Sequence, residues 1–182
     1  MKRISYLGLV IFRLTAATAI TTWAQKVNVD FDKTANFSGY KTYAWASGTP
    51  AKNPLVDQRI VEGVDSRMAA KGLQKVDANA NPDLAVLYHA SVGAETQIST
   101  MSTGYGGWGY RWGGGMGTST STVEQIPVGS LSLDIGDAKT KKLLWLGTAT
   151  DSLSDNPDKN TKKINNALDK MFKKFPPPPP KN

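Results

Sequence analysis

The chain has 182 residues, 40% hydrophobic and 20% charged, with a formal net charge of +7, one histidine and no cysteine. Without a thiol it has no cysteine nucleophile, thiolate metal site, disulfide or lipid linked through cysteine. The basic excess gathers near the C-terminus as a local face, unlike the broad footprint of a nucleic-acid binder, so no nucleic-acid partner is expected.

Lys2 and Arg3 precede an almost wholly apolar run from Ile4 to Phe12, and Thr22-Trp23-Ala24 supplies a small-x-small ending. This layout predicts a signal peptide over residues 1–24 with cleavage after Ala24, and a periplasmic or secreted location, with an uncleaved N-terminal anchor as the alternative. The apolar run falls short of the roughly 20 residues a membrane span requires, and no span is expected in the mature chain. Removing 24 of 182 residues leaves 158, enough for one compact domain over residues 25–175. Lys2, Arg3 and Arg13 leave with the leader, so 19 basic residues face 15 acidic ones, a net of +4.

Val27, Val29 and Phe31 alternate with Asn28, Asp30 and Asp32, a half-buried strand pattern. Tyr40 to Ala46 reads as a second strand after a turn at Ser38-Gly39. Asn53-Pro54 opens a helix with a capping side chain and a proline at the first position. Its stripe is Ile60, Val64 and Met68, with Arg59, Glu62, Asp65 and Arg67 expected on the wet side. Gly72 fits the left-handed position beyond a helix end. Asp83 to Val92 predicts an interior strand covered on both faces, with polar residues 96–103 able to extend it.

Residues 104–117 differ in kind, since eight of the fourteen are glycine. Thr118 to Gln125 is β-prone again. Leu131, Leu133 and Ile135, a turn at Gly136 to Lys139, and Leu143 to Thr150 form a strong hairpin signal. In a last helix Ile164, Leu168, Met171 and Phe175 line one face, with lysines at 162, 163, 170, 173 and 174 on the rest. Pro176 stops it and opens a proline-rich tail over residues 176–182. The order β-β-α-β-β-β-β-α predicts an α+β two-layer sandwich, one mixed or antiparallel sheet of about five to six strands covered by two helices.

Several segments together resemble the bacterial domain of unknown function 4136 family: Asp30 to Asp32, Phe37 to Trp45, Met68 to Leu73 and Asn81 to Val86. Gly129 to Ala138, Leu144 to Ala149 and Lys173 to Pro177 complete the set, spanning roughly residues 27–177. The resemblance implies an exported envelope protein with an α+β fold, and no known reaction, cofactor or catalytic residue. Many relatives are lipoproteins with a cysteine at the cleavage point, where this chain has Ala24-Gln25.

His89 would have to serve any Ser-His-Asp arrangement, and its strand position, on a face expected to be partly covered by a helix, reads as structural. No phosphate loop, zincin pair or nucleophile elbow is present, so no catalytic residue, metal or cofactor is expected. Asp30 and Asp32 share a strand face and offer the alternative function, a hydrolase of envelope glycans using two carboxylates. The sharper feature is Tyr105, Trp108, Tyr110, Arg111 and Trp112 among glycines, an aromatic and arginine composition that contact hot spots use. The expected function is thus a non-enzymatic binding or structural module of the envelope. Its partner, a protein or cell-wall polymer, is expected to be met through that loop, the alternative being a loose hairpin loop whose aromatics fold back on the sheet.

Overall fold

Asn53 and Asn156 each place a side-chain oxygen on the amides of a first helical turn, and each is followed by proline, so two helix starts are fixed by local chemistry. In the computed structural model, which describes residues 25–102 and 119–179, these helices are α1 (Pro54–Ala70) and α2 (Pro157–Phe172). Six strands accompany them: β1 (Lys26–Phe31), β2 (Thr42–Trp45), β3 (Gln74–Lys75), β4 (Leu84–Ser102), β5 (Ser119–Asp137) and β6 (Leu143–Ser152). They form one mixed sheet in the order β1-β6-β5-β4-β2-β3. β2 runs parallel to β3 and β4, and the remaining pairs are antiparallel. Both helices pack on one face, giving the expected α+β two-layer sandwich.

The core lies between that face and the helices. Leu84, Val86 and Tyr88 of β4 and Leu133 and Ile135 of β5 project into it beside Trp145 of β6. Ile60, Val64 and Met68 of α1 and Leu168, Met171 and Phe172 of α2 close it from above. Trp145, Phe172 and Phe175 meet with ring centroids 5.5 to 6.1 Å apart, the range in which aromatic edges and faces attract. Phe175 lies beyond the end of α2 yet is buried, and Pro177 is buried after it. A Cβ on Gly147 would stand 2.6 Å from the Trp145 ring and 3.0 Å from the Met171 sulfur, so only glycine leaves room for that indole. Gly72 holds φ at +82°, as its place after α1 requires.

Several local expectations change. The sheet has helices on one face only, so β4 is not covered on both. Ala85 and Leu87 are half-buried and His89 is exposed on the face away from the helices. The described part of the β-prone segment 118–125, from Ser119 on, joins 131–135 in the single 19-residue strand β5, because β4 pairs with it continuously from Leu84↔Asp137 to Ser102↔Ser119. Asp65 and Arg67 do not simply face water. Asp65 takes hydrogen bonds from the Tyr43 hydroxyl (2.8 Å) and the Trp45 indole (2.9 Å), and Lys75 pairs with it at 2.8 Å. Arg67 donates to the Gly63 and Asn165 carbonyls and to Asp169, tying α1 to α2. Two charges on α1 therefore act as fasteners, which hydrophobic periodicity does not register.

Candidate functional site: an apolar cavity at the root of a β-ribbon

The inward positions of the central strands change size along their length. At one end they are Leu84, Val86, Leu133, Ile135 and Trp145, all fully buried. Toward the other end they become Ala90, Gly129 and Ala149, with Ala167 facing them from α2. Small side chains there cannot fill the space between sheet and helices. A cavity of about 360 Å³ results, walled by Val56 and Ile60 of α1, Ile164 of α2, Val92 and Leu131 of the sheet, and Leu153. Its size falls in the range of small-molecule and side-chain pockets, whose walls are mostly apolar with a few placed polar groups.

The polar groups stand at one rim. The Lys163 ammonium donates to Asp151 (3.1 Å) and to the Ser152 carbonyl (2.7 Å) and hydroxyl (2.9 Å). The Gln25 amide donates to the Lys163 carbonyl (2.8 Å) and its oxygen accepts from Lys170 (3.0 Å). Lys163 therefore does not belong to a purely solvated basic face, since it is half-buried and committed to the β6–α2 junction. Lys52, Asn53, Ser91, Ser130 and Asn160 also reach the lining, but most of the wall is hydrocarbon.

Beyond the cavity β4 and β5 leave the sheet. β2 flanks β4 only at Leu84 to Val86, with one more bridge at His89, and β6 flanks β5 only from Val128 onward. From Glu95 to Ser102 and Ser119 to Ile126 the two strands pair with each other alone. This ribbon carries Ile98 and Val123, 67% and 64% exposed, and Val92 at its root is 70% exposed.

The sequence-derived candidates fall elsewhere. Tyr105, Trp108, Tyr110, Arg111 and Trp112 lie outside the described residues. Asp32 caps the turn after β1, where the Lys142 ammonium and then the Thr34 hydroxyl and amide hold its carboxyl far below the usual range. A glycosidase acid needs the opposite displacement. Asp30 is exposed on the edge strand β1. The His89 ring contacts the Thr49 hydroxyl through Nδ1 (2.8 Å), and the facing Ser132 hydroxyl donates to Asp134 instead (2.7 Å). The expectation that a helix partly covers the His89 face is overturned, since this group lies on the open side of the sheet. Among the described residues no group of three or more His, Cys, Asp or Glu is placed to hold a metal ion, and no helix is long and apolar enough to cross a membrane.

The cavity went unread because it is a deficit of side-chain volume. Its traces in the sequence are the shrinking series Ile135, Leu133, Leu131, Gly129 on alternate positions of β5 and Trp145, Gly147, Ala149 on β6.

Fold and site together define a two-layer α+β domain with a mostly apolar cavity at the base of a projecting β-ribbon. The family model described as Domain of unknown function (DUF4136) matches residues 27–177, and the chain belongs to that family. A crystal structure of a DUF4136 family protein from Bacteroides thetaiotaomicron is 20% identical, with a TM-score of 0.51 over 84% of this chain and 96% of that one. A PDZ domain protein from Parabacteroides distasonis is 15% identical with a TM-score of 0.54, covering 86% of this chain. The chain spans only 38% of that protein's length. At these identities the likeness concerns the fold. No curated protein matches the chain.

Proposed function

We propose that the protein is a non-enzymatic binding module of the bacterial envelope, exported under a leader over residues 1–24, whose cavity receives an apolar group of a partner. The observation that carries this reading is the cavity itself, walled mostly by apolar side chains such as Val56, Ile164 and Val92. An apolar wall favours a protein side chain or acyl group over a cell-wall polymer, whose hydroxyls would lose water without replacement hydrogen bonds. The absence of cysteine leaves no thiol to carry a lipid. Tyr105, Trp108, Tyr110, Arg111 and Trp112 belong to the proposal as a second partner contact, by composition.

Titration with N-phenyl-1-naphthylamine tests the cavity. Saturable binding at one site per chain, lost in Ala90→Trp, which fills the space from the sheet side, is the expected result. Equal binding by wild type and Ala90→Trp, or none by wild type, would remove the cavity from the account. Deleting residues 104–117 tests the second contact, and unchanged partner recovery in native-envelope crosslinking would eliminate it.

A further inference from the structure

The ribbon contradicts the usual management of exposed strands. Such edges are normally blunted by lysine or proline, because bare amides and carbonyls invite another chain. Residues 91–102 and 119–126 contain no lysine, arginine or proline, and Pro127 sits at the root, opposite Ala94. A two-stranded ribbon is marginal by itself in water. Something is expected to cover it.

Its side chains are sorted by face. Strand alternation puts Val92, Ala94, Thr96 and Ile98 on the helix side with Val123, which pairs directly with Ile98. The two charges between Val92 and Ile98 and between Ser121 and Gly129, Glu95 and Glu124, fall on the opposite side. The helix-side face is therefore uncharged there, and it begins at Val92, which also lines the cavity. One face thus carries a hole at its root and an apolar knob, Ile98 with Val123, six residues farther out. At about 3.3 Å per residue, hole and knob are roughly 20 Å apart.

A knob and a hole on one face are self-complementary under a two-fold axis placed midway between them, with each knob entering the other copy's hole. We propose that the cavity's occupant is the Ile98–Val123 knob of a second copy, the two ribbons lying antiparallel with their uncharged faces together. The arrangement turns Glu95 and Glu124 of both copies outward, so these carboxylates do not face one another across the contact. The contact is a narrow ribbon roughly 33 Å long, toward the small end of specific interfaces. This inference rests on the cavity being a receiving site.

Sedimentation velocity on the purified full chain reads it, with circular dichroism confirming the fold of each variant. Wild type is expected to pass reversibly from monomer to dimer over micromolar concentrations. Ile98→Lys and Val123→Lys, at exposed positions, should weaken association at least tenfold, as should the cavity-filling Ala90→Trp. Because the chain has no cysteine, mixing Ile98→Cys with Val56→Cys copies under mild oxidation should link the two. Wild type monomeric up to about 100 µM overturns the proposal, as does a dimer that tolerates both lysine variants. Preferential 98-to-98 linkage overturns its antiparallel geometry. A monomer that still binds N-phenyl-1-naphthylamine leaves the cavity reading intact and removes only the second copy.

Discussion

Replacing Asp65 by alanine takes one carboxylate away from three donors on two other segments. Tyr43 is 1% exposed, and its hydroxyl has Asp65 as its acceptor, as does the indole N–H of Trp45. Hydrogen bonds to a charged group contribute about 1.5–3 kcal/mol each. The Lys75 ammonium is half exposed, so its ion pair adds less than about 1 kcal/mol. Trp45 recovers part of its loss through water, and the net cost is about 3 kcal/mol. For a domain of this size that lowers Tm by about 6–12 °C. The difference should depend on pH. Burial pushes the Asp65 carboxyl up, but the hydrogen bonds from Lys75, Tyr43 and Trp45 outweigh it and hold the group below its ordinary value. Its stabilisation is therefore complete above the unfolded value of about 3.9 and disappears as pH falls through the lower folded value. Asp32, Asp83 and Asp137 are also held low, but they titrate in both proteins and cancel in the comparison. Urea denaturation of wild type and Asp65→Ala at pH 7 and at about pH 3 measures the gap. A gap below about 1 kcal/mol at pH 7, or one that does not narrow in acid, would refute the reasoning.

Gly147→Ala should cost about 1–3 kcal/mol, since the added methyl meets the Trp145 ring, which Phe172 and Phe175 prevent from moving. Thermal denaturation checks this, and an unchanged Tm would mean that the aromatic cluster yields. Arg67→Met keeps the stem but removes four donated bonds, two of them to carbonyls on α1 and α2. With Asp169 itself 59% exposed, the expected loss is about 1–2 kcal/mol by urea titration, most of it independent of salt because the carbonyl contacts carry it.

Periodicity made the two-layer plan legible. Asn53-Pro54 and the stripe Ile60, Val64, Met68 located α1, and the alternation at Leu131, Leu133 and Ile135 located the inner end of β5. What stayed hidden depends on pairing across the chain. β4 and β5 each run 19 residues because each supplies the other's hydrogen bonds, which neither segment shows alone. Gln74–Lys75 is a strand only because it lies beside β2. Asp65 looked solvated because its partners Tyr43 and Trp45 lie 22 and 20 residues away. The aromatic loop attracted attention by composition, whereas the cavity arises where Ala90, Gly129, Ala149 and Ala167 converge from four segments.

Methyl NMR during titration with N-phenyl-1-naphthylamine tests most directly whether that convergence is a receiving site. Shifts should concentrate at Val56, Ile60, Ala90, Leu131, Ile164 and Ala167, saturate together, and leave Leu84 and Ile135 at the packed end unmoved. Saturating shifts confined to other residues, or none at all, would contradict it.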